Sequence, residues 1–294
     1  MSNYEKVLVT GGSGFIGSYV VRNLRKRGIS PTIFARTKDN IGESSDSVFL
    51  GDITDREAVL EAVGGHDGVI HLAGLLGTRE SMENPTPSVD VNVLGSLNVY
   101  EACLKHSKRA VNMSVGNYWM NNAYAITKSV AERFAMMYNK ELNTEIAVVR
   151  GYNIYGPGQK SHPVRKVVPA FIEAALKDEQ ISIYGTGNQI MDMIYVEDVA
   201  EIMVRALLME HNTYDKEIDC GMGLDTTINQ LAEEIVEACN SSSELVHTPM
   251  RPGETLDSVV KADLKTLTPL EYSLSDMTPL KDGIQKTVEW YKTQ

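Results

Sequence analysis

A cluster of glycines near the N-terminus places the tightest constraint on how this chain can fold. The stretch from Val7 to Gly17 reads Val-Leu-Val-Thr-Gly-Gly-Ser-Gly-Phe-Ile-Gly, so an apolar strand, a glycine turn and an amphipathic helix follow one another directly. Such glycines let the backbone approach a pyrophosphate at the positively polarised helix start, and the last one lets helix and strand pack closely. The alternative is an ordinary turn. Because the turn opens a series of βαβ units, its spacing predicts a dinucleotide site.

Short apolar runs alternate with helical patterns through the first 150 residues. The predicted strands are Val7–Thr10, Thr32–Ala35, Val48–Leu50, Val69–Leu72, Ala110–Met113 and Glu145–Val149. The predicted helices are Phe15–Arg27, Asp55–Val63, Ser88–His106 and Tyr124–Asn139. This alternation is typical of α/β proteins with a doubly wound, Rossmann-like parallel sheet.

The sequence changes after Arg150 to turns rich in glycine and proline, with shorter elements and an irregular C-terminal part. We interpret residues 1–150 as a dinucleotide-binding domain with a return segment near 192–222. Residues 151–294 are mostly a smaller substrate-binding domain. Open α/β sheets bind ligands at the carboxyl ends of their strands, so the smaller domain is expected to close over that edge.

Charge and cysteine content exclude several classes of protein. The net charge of −11 would repel a polyanion, so nucleic acid is not an expected partner. Three separated cysteines, the lack of a signal peptide and the lack of a long apolar run predict a cytoplasmic protein without a membrane partner. No metal-ligand spacing, P-loop or G-x-S-x-G motif appears, so no metal is expected.

A second motif, Tyr124-Ala-Ile-Thr-Lys128, lies in a predicted helix after a strand that ends at Ser114. Positions four residues apart share a helix face, so the ammonium of Lys128 would lower the pKa of the Tyr124 phenol. A phenolate at this place could remove a proton. The alternative is a half-buried ring beside a solvated cation.

Further segments add to these two motifs. They are Gly51-Asp-Ile53, Val69-Ile-His-Leu-Ala-Gly74, Asn92-Val-Leu-Gly-Ser96, Val149-Arg-Gly-Tyr-Asn-Ile-Tyr-Gly-Pro157, Tyr195-Val-Glu-Asp-Val199 and Arg251-Pro-Gly-Glu254. Together the motifs make the chain resemble, nearly end to end, the extended short-chain dehydrogenase/reductase family. Within it the likeness is to the NAD-dependent epimerases and dehydratases of nucleotide sugars.

The resemblance implies a set of residues that bind the cofactor. They are Gly11, Gly14, Phe15, Ile16, Gly17, Asp52, Ile53, Leu72, Ala73, Gly74, Asn92 and Lys128. Local alternatives exist for two positions. Thr54 and Glu57 form a capping box, so Asp52 could merely help to start the next helix, and His71 is interpreted as a core histidine.

The resemblance also implies a catalytic set of Ser114, Tyr124 and Lys128, in which Ser114 binds the reacting hydroxyl of the substrate. Asn153 and Arg251 would contact the diphosphate of a nucleotide sugar, since arginine supplies a planar fork for phosphate oxygens. The alternative for Ser114 is a residue that only ends its strand. The alternative for Arg251 is a solvated loop residue without a ligand.

Departures from the family pattern refine these expectations. The second strand ends in Ala35-Arg36 without the acid typical of NAD users, so Arg36 slightly favours NADP over NAD. Val115-Gly116 replaces the Asp-Glu pair of the dehydratases, which argues against dehydration. Nine residues separate Ser114 from Tyr124, a shorter loop than usual, and Met191 replaces an arginine, which leaves Arg251 as the expected phosphate contact.

The function expected from this pattern is a nucleotide-sugar 4-epimerase that works through a 4-keto intermediate with a bound nicotinamide cofactor. The alternative is an NADPH-dependent reductase of a 4-keto nucleotide sugar or related carbonyl. A dinucleotide-sensing protein without turnover is a third reading. Family habit further predicts a homodimer that pairs the helices Ser88–His106 and Tyr124–Asn139, helped by the apolar side chains of Phe134, Met136 and Met137.

Overall fold

The computed structural model of the chain describes residues 4–38, 47–77, 83–162, 164–211, 213–250 and 258–294. The chain forms two units, the first of which comprises Met1–Gly151, Val199–Cys220 and Lys265–Tyr272. The second comprises Tyr152–Asp198, Gly221–Leu264 and Ser273–Gln294. Assigning cofactor binding to one unit and substrate binding to the other remains a prediction.

The helices and strands are numbered in chain order. They are β1 (Lys6–Thr10), α1 (Phe15–Lys26), β2 (Ser30–Ala35), β3 (Val48–Leu50), α2 (Arg56–Gly64), β4 (Gly68–His71), α3 (Thr86–Val89), α4 (Gly95–His106), β5 (Arg109–Val115), α5 (Ala123–Leu142), β6 (Ile146–Gly151), β7 (Asn153–Tyr155), α6 (Val167–Ala175), β8 (Ile181–Tyr184), β9 (Ile190–Met191), β10 (Met193–Tyr195), α7 (Val196–Leu208), β11 (Glu217–Cys220), α8 (Ile228–Cys239), β12 (Leu245–Thr248), β13 (Val259–Val260) and α9 (Leu280–Tyr291). Short 3₁₀ turns cover Leu264–Leu270 and Leu274–Asp276. None of the helices in the described ranges is long and apolar enough to cross a bilayer.

A seven-stranded parallel sheet organises the first unit, in the order β11-β6-β5-β4-β1-β2-β3. Central strands of such sheets are covered on both faces, which explains why Val7, Leu8 and Val9 of β1 are all buried. The strand order reverses between β1 and β4, and a crevice for ligands forms at such a reversal. The predicted doubly wound α/β fold is confirmed.

The helix predicted over Ser88–His106 is interrupted. The chain forms α3, then a π-helical turn over Asp90–Leu94, and only then α4. Buried polar groups accompany the interruption, since Asn92 in the π turn and Ser96 at the start of α4 are fully buried. Single π turns often mark functional sites. In this π turn, Asn92 forms two hydrogen bonds with the backbone of Leu75, which directly follows the predicted cofactor segment after β4.

Three parallel two-stranded pairs, β7 with β10, β8 with β12 and β9 with β13, belong to the second unit. Its core gathers apolar side chains of α6, α8 and α9, among them Ile172, Leu231 and Ile284. The expectation of an irregular C-terminal part is wrong. Thr227 and Gln230 form a capping box at the start of α8, and its apolar residues recur at helical spacing.

Candidate functional site

The glycine turn after β1 leaves the start of α1 open to a ligand. Gly11 takes a positive φ of 71°, and its carbonyl accepts a hydrogen bond from Gly14 N–H at 3.0 Å. Gly14 is the residue before the helix and offers no side chain to cap it, and the first turn holds no acid. The N–H groups at Phe15, Ile16 and Gly17 therefore lie at a positively polarised helix end that suits a pyrophosphate.

The segment after β4 lies against this turn. A Cβ on Gly11 would lie 2.8 Å from Ala73 N and 2.9 Å from the carbonyl carbon of Leu72, so only glycine fits there. Ala73 N–H donates to Thr10 Oγ1 at 3.2 Å, which ties the ends of β1 and β4 together. Leu72, Ala73 and Gly74 are half-buried or exposed at this edge, the position the predicted cofactor site requires.

His71 is a buried connector in the core. Its Nδ1 lies 2.7 Å from Thr10 Oγ1 and its Nε2 lies 3.0 Å from Ser96 Oγ. Ser96 Oγ donates to the Asn92 carbonyl at 2.7 Å, so it accepts from Nε2–H, and Nδ1 accepts from Thr10. Burial, helped by the charge of Lys128, lowers the pKa of His71 to about 3. A neutral histidine thus links the end of β1 to the π turn.

Asn92, in the π turn, binds the backbone of the loop that follows β4. Its Oδ1 accepts from Leu75 N–H at 2.7 Å, and its Nδ2 donates to the Leu75 carbonyl at 3.1 Å and to Thr127 Oγ1 at 3.0 Å. Both ends of the amide are therefore engaged by the protein. These hydrogen bonds tie the loop after β4 to Thr127 on α5.

Tyr124 and Lys128 lie one turn apart near the start of α5, which Asn122 caps by accepting from Ala125 N–H at 2.9 Å. An ideal Cβ on Gly74 would lie 4.0 Å from Lys128 Nζ, so the ammonium faces the segment after β4. Burial raises the pKa of Tyr124 to about 12, opposite to the direction expected from Lys128. Burial also lowers the pKa of Lys128 to about 8, and Glu132 offsets part of this change. Desolvation is therefore the largest cause of both pKa shifts.

Ser114, at the end of β5, is buried and donates its hydroxyl hydrogen to Glu132 Oε2 at 2.6 Å. Arg150 on the neighbouring β6 binds the same carboxylate with Nε at 3.1 Å from Oε2 and a terminal nitrogen 2.5 Å from Oε1. Sequence reasoning missed Glu132 and Arg150. The available signal was the four-residue spacing from Tyr124 through Lys128 to Glu132, which places the three on one helix face.

The side chains predicted to meet the adenosine lie beyond β2 and β3. Arg36 is exposed at the end of β2, close enough to Asp52 to help lower the pKa of that carboxyl. The largest effect on this pKa comes from Thr54, whose N–H donates to Asp52 Oδ1 at 2.9 Å. Ile53 is buried against Gly95. The expected capping box at Thr54 is wrong, because Asp55 caps α2.

The predicted substrate residues belong to the part of the chain after β6. Asn153 in β7 donates its N–H and its Nδ2 to the Asp192 carbonyl, at 3.0 Å and 3.2 Å. The Asp192 carboxylate accepts from the N–H groups of Met222, Gly223 and Ala262. Asp192 therefore has a structural role, because its carboxylate holds three backbone segments of the second unit together. Arg251 lies outside the described residues.

These features fit a dinucleotide cofactor. The uncapped glycine turn suits its pyrophosphate, and Lys128 facing Gly74 suits its nicotinamide ribose. Across the described ranges, no three His, Cys, Asp or Glu side chains lie together in a way that would hold a metal ion.

Comparison with known proteins adds an independent finding. Residues 7–221 match the NAD dependent epimerase/dehydratase family. A UDP-N-acetyl-alpha-D-glucosaminuronate decarboxylase from Bacillus cytotoxicus is 28% identical, and the alignment covers 98% of each chain. A putative UDP-glucose 4-epimerase from Methanocaldococcus jannaschii is 31% identical over 97% of this chain and 98% of that relative. The solved UDP-glucose 4-epimerase of Thermus thermophilus in complex with NAD is 28% identical, with a TM-score of 0.83 and coverage of 98% and 99%.

Proposed function

Because the chain belongs to the NAD-dependent epimerase/dehydratase family, we propose that it is a nucleotide-sugar 4-epimerase acting on a UDP-hexose or a UDP-N-acetylhexosamine. The observation that carries the proposal is the position of Lys128, one turn after Tyr124, with its ammonium facing Gly74 of the cofactor segment. One side chain thereby connects the proton-transfer group with the cofactor site. Three relatives with UDP-sugar names support the substrate class.

Each residue of the proposed site has a defined task. Tyr124, as phenolate, takes the proton of the sugar's C4 hydroxyl and returns it after the 4-keto sugar has turned over. Lys128 supplies a positive charge that favours the phenolate against the desolvation that raises the pKa of Tyr124. Ser114 binds a hydroxyl of the sugar. When bound, the nicotinamide cofactor would accept a hydride and later return it, so an epimerase consumes no cofactor.

The position after Ser114 argues against dehydration. Removing water from the sugar needs a general acid and a general base, but Val115 is a buried apolar residue and Gly116 has no side chain. Gly116 N–H donates to the Gly151 carbonyl at 2.9 Å, so this backbone is fixed by β6. Positions 115 and 116 therefore supply neither the acid nor the base that eliminating water would need.

The second candidate is an NADPH-dependent reductase of a 4-keto nucleotide sugar, which Arg36 favours. Its guanidinium is exposed at the end of β2, and neither neighbour, Ala35 or Thr37, is acidic. The family description names NAD, and the nearby Asp52 carboxylate offsets part of the charge of Arg36. Arg36 is therefore the side chain on which the use of NADP depends.

Turnover experiments separate the candidates. The purified protein is denatured and the released dinucleotide identified by mass spectrometry, and native protein is then incubated with UDP-hexoses and UDP-N-acetylhexosamines. Interconversion of 4-epimers without added reductant supports the epimerase. NADPH loss equal to the 4-keto sugar consumed indicates the reductase, and carbon dioxide release from a UDP-glycuronate indicates a decarboxylase. A bound dinucleotide without turnover of any of these sugars would favour a sensing protein.

We also propose that two copies pair through the outer faces of α4 and α5. Leu94, just before α4, and Ile126 on α5 are each 49% exposed, and Met137 on α5 is 40% exposed. A contiguous patch of exposed apolar side chains is typical of a protein–protein interface. Phe134 and Met136, in contrast, pack against the first unit's own core. Of the three apolar residues expected to assist pairing, Met137 therefore lies on the outer face.

A further inference from the structure

A buried ionic cluster lies directly behind the proposed reacting groups. Glu132 is only 3% exposed, and its carboxylate holds the Ser114 hydroxyl as well as two nitrogens of Arg150. Arg150 also binds Glu217 on β11 at 2.9 Å, and the Tyr118 ring covers its guanidinium at 4.0 Å. Four elements, β5, α5, β6 and β11, thus contribute to one cluster.

Fold stability alone gives a weak reason for Glu132. Burying a carboxylate costs several kcal/mol of desolvation, and a buried ion pair often stabilises no more than apolar residues of the same volume. Arg150 would keep Glu217, which is half-exposed, if Glu132 were apolar. The carboxylate nevertheless lies where it reaches Ser114 directly and is one helical turn from Lys128.

We propose that Glu132 is a positioning residue of the site, which fixes the orientation of the Ser114 hydroxyl and supplies the anion that keeps Lys128 an ammonium. The role in catalysis depends on the proposed function. Glu132 acts through Ser114, which it binds directly, and through Lys128, the two residues that the proposed function places against substrate and cofactor.

The effect on Ser114 follows from the direction of one hydrogen bond. A hydroxyl has a single hydrogen, and that of Ser114 is donated to Glu132 at 2.6 Å. The oxygen therefore presents its two lone pairs, so Ser114 accepts a hydrogen bond from a sugar hydroxyl. Without the carboxylate the hydroxyl would rotate, and this preference would be lost.

The effect on Lys128 follows from the charges around it. Burial lowers the pKa of Lys128 to about 8, and the Glu132 charge raises it. Among the described residues, the ionisable groups around Lys128 and Glu132 include Tyr124 on α5, Tyr100 on α4 and the neutral His71 on β4. The Arg150–Glu217 pair on β6 and β11, with Asp219 beside it, lies on the other side of Glu132. Replacing Glu132 by an uncharged residue should therefore let Lys128 lose its proton at lower pH.

Two substitutions separate the two effects. Glu132→Gln removes the charge and keeps an acceptor oxygen for Ser114, whereas Glu132→Met removes both. We expect both variants to lose turnover with rising pH earlier than wild type, by about one pH unit or more. At pH 6, where Lys128 is protonated, Glu132→Met should lower kcat by roughly 10- to 100-fold, and Glu132→Gln should lower it by less.

A double-mutant cycle tests whether the loss of kcat in the Glu132 variants comes through Ser114. If Glu132 acts through Ser114, adding Glu132→Met to Ser114→Ala should change kcat at pH 6 by less than about threefold. Glu201→Gln is the matched control, because Glu201 is a poorly exposed glutamate that binds Arg27 and Arg205 elsewhere in the first unit. This control should lower thermal stability and leave the pH profile of turnover unchanged.

Crystal structures of wild type and Glu132→Gln test the orientation without a substrate. A wild-type Ser114 hydroxyl bonded elsewhere than Glu132 would overturn the proposal. Folded Glu132 variants with the wild-type pH profile and wild-type kcat would overturn it as well. If wild type converts no UDP-sugar, the proposed function fails, and the crystal structures still decide whether Glu132 orients Ser114.

Discussion

Replacing Gly17 by alanine tests whether α1 must lie as close to the glycine turn after β1 as the structure shows. A Cβ at this position would overlap the Gly11 carbonyl oxygen and lie 2.6 Å from Gly12 Cα and 2.9 Å from the Gly11 carbonyl carbon. All three atoms belong to the backbone, so no side-chain rotation relieves the contact. We therefore expect α1 to move away from the glycine turn that follows β1 by about one ångström, since ordinary contacts begin near 3.4 Å.

The displacement should affect stability and cofactor binding together. Overpacking of this kind costs about 1–3 kcal/mol, which corresponds to a fall in Tm of roughly 2–12 °C in a protein of this size. The same shift moves the N–H groups of the first helical turn away from a bound pyrophosphate. Losing one charge-assisted hydrogen bond costs about 1.5–3 kcal/mol, so NAD affinity should fall by roughly 10- to 150-fold.

Thermal unfolding followed by circular dichroism, with and without NAD, measures both effects. Gly65→Ala is the control, because a Cβ there would meet only the Ala62 and Glu61 carbonyl oxygens, at 3.7 Å and 3.9 Å, and its φ is −84°. That variant should melt within a degree or two of wild type and bind NAD normally. A Gly17→Ala protein that melts and binds like wild type would refute the close-packing explanation of this glycine.

Four other predictions follow from the described residues. Tyr124→Phe should lower turnover by about 10²- to 10⁴-fold and leave NAD affinity unchanged by fluorescence titration, and near-normal turnover would remove Tyr124 from its role. Arg36→Ala should weaken NADP by roughly 10- to 150-fold and spare NAD, whereas equal losses would end the NADP proposal. Burial opposes ionisation of Glu201, but hydrogen bonds led by Arg27 hold its pKa at about 2, which contributes about 3 kcal/mol of unfolding free energy at neutral pH. This contribution is lost as pH falls from about 5 to 2, and urea unfolding of Glu201→Gln should show a correspondingly flatter pH dependence. Light scattering at micromolar concentration should give the mass of a dimer, and Ile126→Lys should give that of a monomer.

The local sequence determined those parts of the fold in which neighbouring residues decide the geometry. Between Val7 and Gly17 a buried strand, a turn that needs small residues and a helix start follow each other within one βαβ unit, and the structure has all three. The one-turn spacing of Tyr124 and Lys128 also follows from helix geometry alone. The sequence likewise predicted the parallel sheet, because β-branched runs and amphipathic helices alternate along the first unit.

The partners of the reacting groups depend on contacts between residues that lie far apart in the sequence. Ser114, Glu132 and Arg150 are separated by 18 residues at each step, and they meet only because β5 pairs with β6 while α5 packs over both. The pKa of Tyr124 is likewise a tertiary property, because burial raises it whereas the adjacent lysine alone would lower it. The sequence thus determined which groups share a helix face, and packing decided which of them are desolvated and where each hydrogen bond points, since both depend on distances through space.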